Sequence, residues 1–97
     1  MRLVAKGYTE IWGEDYWNTY SPTLGRDSLL SILTYAAAHN LEIHQMDAVA
    51  AYLNSDLTEE IYIRPPDGIP SNPGTVWLLE KALYGLKQAG LEWYHML

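Results

Sequence analysis

The chain has 97 residues, 48% hydrophobic and 19% charged, with a net charge of −6 and no cysteine. That length allows one small domain burying roughly 60–70% of its extended surface, and the composition is that of a folded chain. The acidic balance argues against a free-standing nucleic-acid binder, which draws most of its affinity from phosphate neutralisation, and the missing cysteines exclude disulfides and thiolate zinc sites.

Residues 2–8, RLVAKGY, read as a short strand broken at Gly7. Residues 10–25 mix aromatics with Gly, Asn, Ser and Pro, which is loop chemistry with aromatic anchors. Residues 26–40, RDSLLSILTYAAAHN, form the clearest helix. Asp27 or Ser28 can cap it, Leu29, Leu30, Ile32, Leu33, Ala36 and Ala37 recur at helical spacing, and Asn40 suits a left-handed C-terminal residue. Its wide apolar stripe predicts packing onto a sheet.

Residues 41–47, LEIHQMD, alternate and predict a strand. Residues 48–57 read as a helical turn, 61–63 as a short strand, and 65–74 as a Pro/Gly-rich loop. Residues 75–85 read as another strand and 86–97 as a helix. Strands and helices alternate without internal repeats, so the class is α/β or α+β. No apolar run approaches the roughly 18 residues of a membrane span. The N-terminus is too polar for a signal peptide. An intracellular setting, cytoplasmic or nuclear, is expected.

One carboxylate stands out. Asp47 lies at the end of the predicted 41–47 strand inside an apolar run, where an unpaired charge costs several kcal/mol if buried. It either caps the following turn or offers oxygen to a hard cation such as Mg²⁺, and spacing leaves both open. Tyr52 is a core aromatic or a lid over whatever Asp47 binds. His39, His44 and His95 lack metal-ligand spacing. Asp56, Glu59 and Glu60 could hold an ion but read first as a solvated helix face, and Arg64, Lys81 and Lys87 are too few and scattered for a phosphate patch.

Four ordered strings add a resemblance: RLVAKGYTE with DYWNTYSP; DSLLSILTYAAAHNLEIHQMD; AYLNSDLTEEIYIRPPDGIP; and KALYGLKQAGLEWY. Together they resemble the copia-type LTR retrotransposon reverse transcriptase over essentially the whole chain. The resemblance implies a partial right-hand polymerase, with residues 1–97 forming the fingers and first part of the palm around a mixed sheet with packed helices. The implied activity is RNA-directed DNA synthesis by two-metal nucleotidyl transfer, with two Mg²⁺ ions roughly 4 Å apart.

Asp47 matches the first of the family's three catalytic carboxylates, and the Ala48 carbonyl would assist as a metal ligand. Tyr52 falls at the aromatic gate that excludes a 2′-hydroxyl. Ala50 and Ala51 would let the triphosphate approach the backbone. Tyr84, Gly85, Lys87 and Gln88 match the segment beside the incoming nucleotide and template, and Arg2 and Lys6 the basic strand facing the triphosphate. Implied partners are an RNA or DNA template-primer and a deoxynucleoside triphosphate, with no membrane.

The sequence also departs from the family. Gly25, Leu30, Val49 and Ala50 replace residues that are usually basic or polar, and Gly90 and Leu91 replace a Pro and an Arg. The family's other two carboxylates belong to a Tyr-x-Asp-Asp hairpin beyond position 97, and this chain holds no Asp-Asp pair. The expectation is that the chain alone does not polymerise. A non-catalytic protein-interaction module, or a relic without a selected role, is the alternative, with self-association through an unpaired sheet edge.

Overall fold

The computed structural model describes residues 2–97. Helix α1, Arg26–Ala38, begins after Gly25 rather than at Asp27 or Ser28, and no side chain caps it. Glycine serves at that position nearly as well as a capping side chain. Asp27 falls in the first turn, where its charge suits the positive end of the helix. The hydroxyls of Ser31 and Thr34 donate to the carbonyls of Asp27 and Leu30, each at 2.8 Å.

The C-terminus of α1 follows the sequence expectation. Asn40 has φ 50°, Leu41 N–H donates to the Ala36 carbonyl at 2.9 Å, and Asn40 N–H to Ala37 at 3.4 Å. These two bonds make a Schellman motif, closing off carbonyls that the last turn leaves free.

The only sheet among the described residues is a two-stranded antiparallel ribbon, β1 (Tyr62–Ile63) with β2 (Trp77–Leu78), in register Tyr62 with Leu78 and Ile63 with Trp77. Backbone bonds prolong the pairing beyond the ladder: Leu79 N–H to Ile61 O at 2.9 Å, and Ala82 N–H to Ser55 O at 2.9 Å. Asp56 and Lys81 sit opposite each other in an isolated bridge and form an ion pair. The 65–74 loop joins the strands as expected. Helix α2, Ala89–Met96, then packs against a 3-10 turn, Ala51–Asn54. The core is small: Ile61, Ala82, Leu83, Leu86 and Ala89 are buried, with Ala5, Tyr52, Leu57, Ile63 and Leu79 packed around them.

Four expectations are corrected. Residues 2–8 are not a strand; an irregular segment leads into a 3-10 turn, Gly7–Thr9, and is tied to a distant part of the chain by the backbone bond Ala5 N–H to Tyr84 O at 2.8 Å. Residues 41–47 are not a strand either, but an exposed segment without regular structure. The mixed sheet is therefore absent among the described residues, and α1 packs onto no sheet. Leu29, Leu30, Ile32 and Leu33 stay exposed, and Ala36 alone of its residues is buried. Alternation favours a strand only where a neighbouring edge accepts its hydrogen bonds, and these residues offer none beside 41–47.

The radius of gyration follows from the same fact. It is 18.1 Å, against the roughly 12–13 Å expected of a compact chain of this length. What stands is a small α+β arrangement of two helices and one ribbon.

Candidate functional site

Asp47 is exposed, on the irregular segment leading into the 51–54 turn, with Ala48 beside it. Ala50 then takes a left-handed conformation, φ 52° and ψ 46°, which costs an L-residue roughly 1–2 kcal/mol. Asn54 holds this bend: its Nδ2 donates to the carbonyls of Val49 (3.2 Å) and Ala50 (3.1 Å). Sequence reasoning missed Asn54, although a short amide after a run of small residues is a common backbone-bonding device.

Tyr52, on that turn, is half-buried against the core. Its ring centroid lies 4.6 Å from that of Tyr84, tilted by 47°. The Arg2 guanidinium carbon lies 4.6 Å from the Tyr84 ring centroid, within reach of a cation–π contact. Three expected nucleotide-facing residues, distant in sequence, are thus brought together. Gly85 follows at φ 97°, so close to Ala5 that an added Cβ would strike the Ala5 carbonyl. Gly7 is pressed in the same way against the Gly85 carbonyl. Lys6 is exposed, its carbonyl accepting from the Thr9 N–H and hydroxyl. It borders a small cleft of about 110 Å³ lined also by Ala5, Gly7, Glu10, Asp15 and Leu86.

Lys87 and Gln88 are engaged elsewhere. The Lys87 backbone N–H donates to Glu10 Oε2 at 3.0 Å, and its Nζ to the Glu10 carbonyl (3.2 Å) and Tyr16 Oη (3.3 Å). Gln88 is 1% exposed; its Nε2 donates to Glu59 Oε2 at 2.9 Å and to the Asp15 carbonyl at 3.2 Å. Glu59 also accepts the Trp17 N–H at 3.2 Å. Asp56 and Glu59 thus form no helix face: one pairs with Lys81, and the other anchors the aromatic loop.

Burial pushes the Glu10 carboxyl above its ordinary pKa, with Asp15 and Glu59 adding to the rise. The Lys87 backbone N–H and its ammonium charge work against that rise without cancelling it. No spacing rule could have found this cluster, since its members, Glu10, Asp15, Glu59, Lys87 and Gln88, come from three distant parts of the chain.

A hard divalent cation takes about six oxygen ligands. The positions expected to hold it supply the Asp47 carboxylate and the Ala48 carbonyl. Among the described residues no three His, Asp or Glu side chains gather where they could hold a metal. The residues present do not make a magnesium site by themselves.

A profile of the family described as reverse transcriptase (RNA-dependent DNA polymerase) matches residues 1–97. The Retrovirus-related Pol polyprotein from transposon TNT 1-94 of Nicotiana tabacum is 42% identical over 95 residues, covering 96% of this chain and 7% of the relative. The corresponding polyprotein from transposon RE1 of Arabidopsis thaliana is also 42% identical over 95 residues, 96% of this chain and 6% of its own length. The truncated transposon Ty1-A Gag-Pol polyprotein of Saccharomyces cerevisiae is 41% identical over 95 residues, 96% of this chain and 8% of its own length. This chain therefore spans less than a tenth of those relatives. No solved structure matches it. Among the described residues no helix is long and apolar enough to cross a membrane. With the whole chain matched, and the four motifs in family order, this chain belongs to the reverse transcriptase (RNA-dependent DNA polymerase) family, in its copia-type retrotransposon branch.

Proposed function

We propose that residues 1–97 contribute the fingers and first part of the palm to an RNA-directed DNA polymerase, and that they need further polymerase residues to act. The observation that supports this reading is the convergence of Arg2 and Tyr52 on the Tyr84 ring, each 4.6 Å from its centroid. A cation and two aromatic rings so grouped suit the phosphates and the sugar of a deoxynucleoside triphosphate. Asp47 and the Ala48 carbonyl contribute two oxygens toward metal binding. Ala51 keeps the turn beside them narrow, and Gly85 and Lys6 border the nucleotide. Lys87 and Gln88 act from below, fixing the Tyr84–Gly85 turn through Glu10, Glu59 and Asp15. Template-primer is the partner.

Purified chain supplied with primer, template, deoxynucleotides and Mg²⁺ gives no extension, because one carboxylate cannot clamp two ions. In a polymerase that carries this segment, Asp47→Asn abolishes extension. Extension by the 97 residues alone that Asp47→Asn removes would refute the incomplete-site reading. Retained activity of Asp47→Asn in the larger enzyme would refute the role of Asp47.

The exposed stripe of Leu29, Leu30, Ile32 and Leu33 favours a second reading, a non-catalytic module that binds protein. Its simplest occupant is a second copy of this chain. Sedimentation velocity at micromolar concentration tests it, and a monomer throughout removes its support.

A further inference from the structure

Tyr84 contacts two residues that the proposed nucleotide site would use, Tyr52 and Arg2. The backbone beneath its ring is pinned. The Tyr84 carbonyl accepts the Ala5 N–H at 2.8 Å, and Gly85 leaves no room for even a methyl group against Ala5. Tyr52 stands on weaker ground. It rides on a four-residue 3-10 turn entered through a left-handed alanine, and such turns have poorer hydrogen-bond geometry than an α-helix. The direction of the Tyr52 ring is therefore set by what it packs against, the buried core and the tilted Tyr84 ring, and Tyr84 is the flat aromatic surface among them.

We propose that Tyr84 is a positioning residue that fixes the Tyr52 ring, and through it the discrimination between deoxyribonucleotides and ribonucleotides. This rests on Tyr52 facing the nucleotide sugar, as read above. Tyr84 acts through its ring, so phenylalanine replaces it. Leucine fills the apolar space without a flat face, leaving Tyr52 free to swing.

The test has two arms. In the 97-residue chain, the Hα–Hβ couplings of Tyr52, which report its χ1 rotamer, keep their native values in Tyr84→Phe and average in Tyr84→Leu. Couplings unchanged in Tyr84→Leu overturn the positioning role. In a reverse transcriptase carrying this segment, kcat/KM is measured for dCTP and CTP. Tyr84→Phe keeps the wild-type ratio. Tyr84→Leu lowers the preference for dCTP about three- to tenfold, the range spanned by one aromatic pair. It lowers it no further in a Tyr52→Ala background. General destabilisation would depress both substrates equally and leave the ratio alone. A ratio changed by Tyr52→Ala and untouched by Tyr84→Leu overturns the inference. A ratio untouched by Tyr52→Ala overturns instead the reading of Tyr52 on which it stands.

Discussion

The contact between residues 5–7 and 84–86 is the strongest test of how this small core is assembled. Gly85→Ala imposes two costs. The first is conformational: at φ 97° an L-residue loses roughly 1–2 kcal/mol. The second is steric, since the new methyl meets the Ala5 carbonyl. Relief requires the two segments to part, stretching the Ala5 N–H to Tyr84 carbonyl bond of 2.8 Å, worth about 1 kcal/mol net, and loosening Leu86 in the core. Together these come to about 3 kcal/mol. For a chain of this size, whose total stability is on the order of 5–15 kcal/mol, that is a large fraction.

Gly74→Ala is the matched control. Gly74 has φ 79° and nothing within 4 Å of where its Cβ would stand, so only the conformational cost applies. Urea titration followed by circular dichroism reads both variants. The expected result is a midpoint drop for Gly85→Ala at least twice that of Gly74→Ala, with unchanged slope. Equal drops would mean that the close approach of the two segments contributes nothing, and the reasoning fails.

Other outcomes follow from the buried polar cluster and the turn after Asp47. Because burial holds the Glu10 pKa above its usual 4.5, the folded state binds more protons than the unfolded state within that window, and stability falls as pH rises through it. Thermal melts should show the native chain losing ground to Glu10→Gln as pH rises from the ordinary carboxylate value through the raised one; a gain contradicts the assignment. Gln88→Met keeps the volume but removes the donors to Glu59 and Asp15. Its expected cost is about 2 kcal/mol by urea titration, since one bond is to a charged group, and a neutral result would place Glu59 outside the network. Ala50→Gly relieves the left-handed strain at some cost in chain entropy. It should raise stability by about 0.5–1 kcal/mol; destabilisation would mean the bend is not left-handed in solution.

The sequence by itself determined what depends on local bonding. Helix α1 was legible because its hydrogen bonds run four residues back and its apolar spacing repeats, and its end at Asn40 was legible because few residues tolerate a left-handed φ. The 65–74 loop and the helix at the C-terminus were readable for the same local reasons. Family membership was readable from four ordered strings. Tertiary structure alone decided which extended segments became strands. Residues 2–8 and 41–47 carry strand-like patterns, but a strand is a pairing, and among the described residues only Tyr62–Ile63 and Trp77–Leu78 found each other as a ladder. It also decided the company each candidate side chain keeps. Arg2, Tyr52 and Tyr84 meet, and Lys87 closes on Glu10, because the glycines at 7 and 85 let two distant backbones approach within a distance that no side chain permits. No local propensity encodes that meeting, since its energy resides in contacts between residues that only the folded chain brings together.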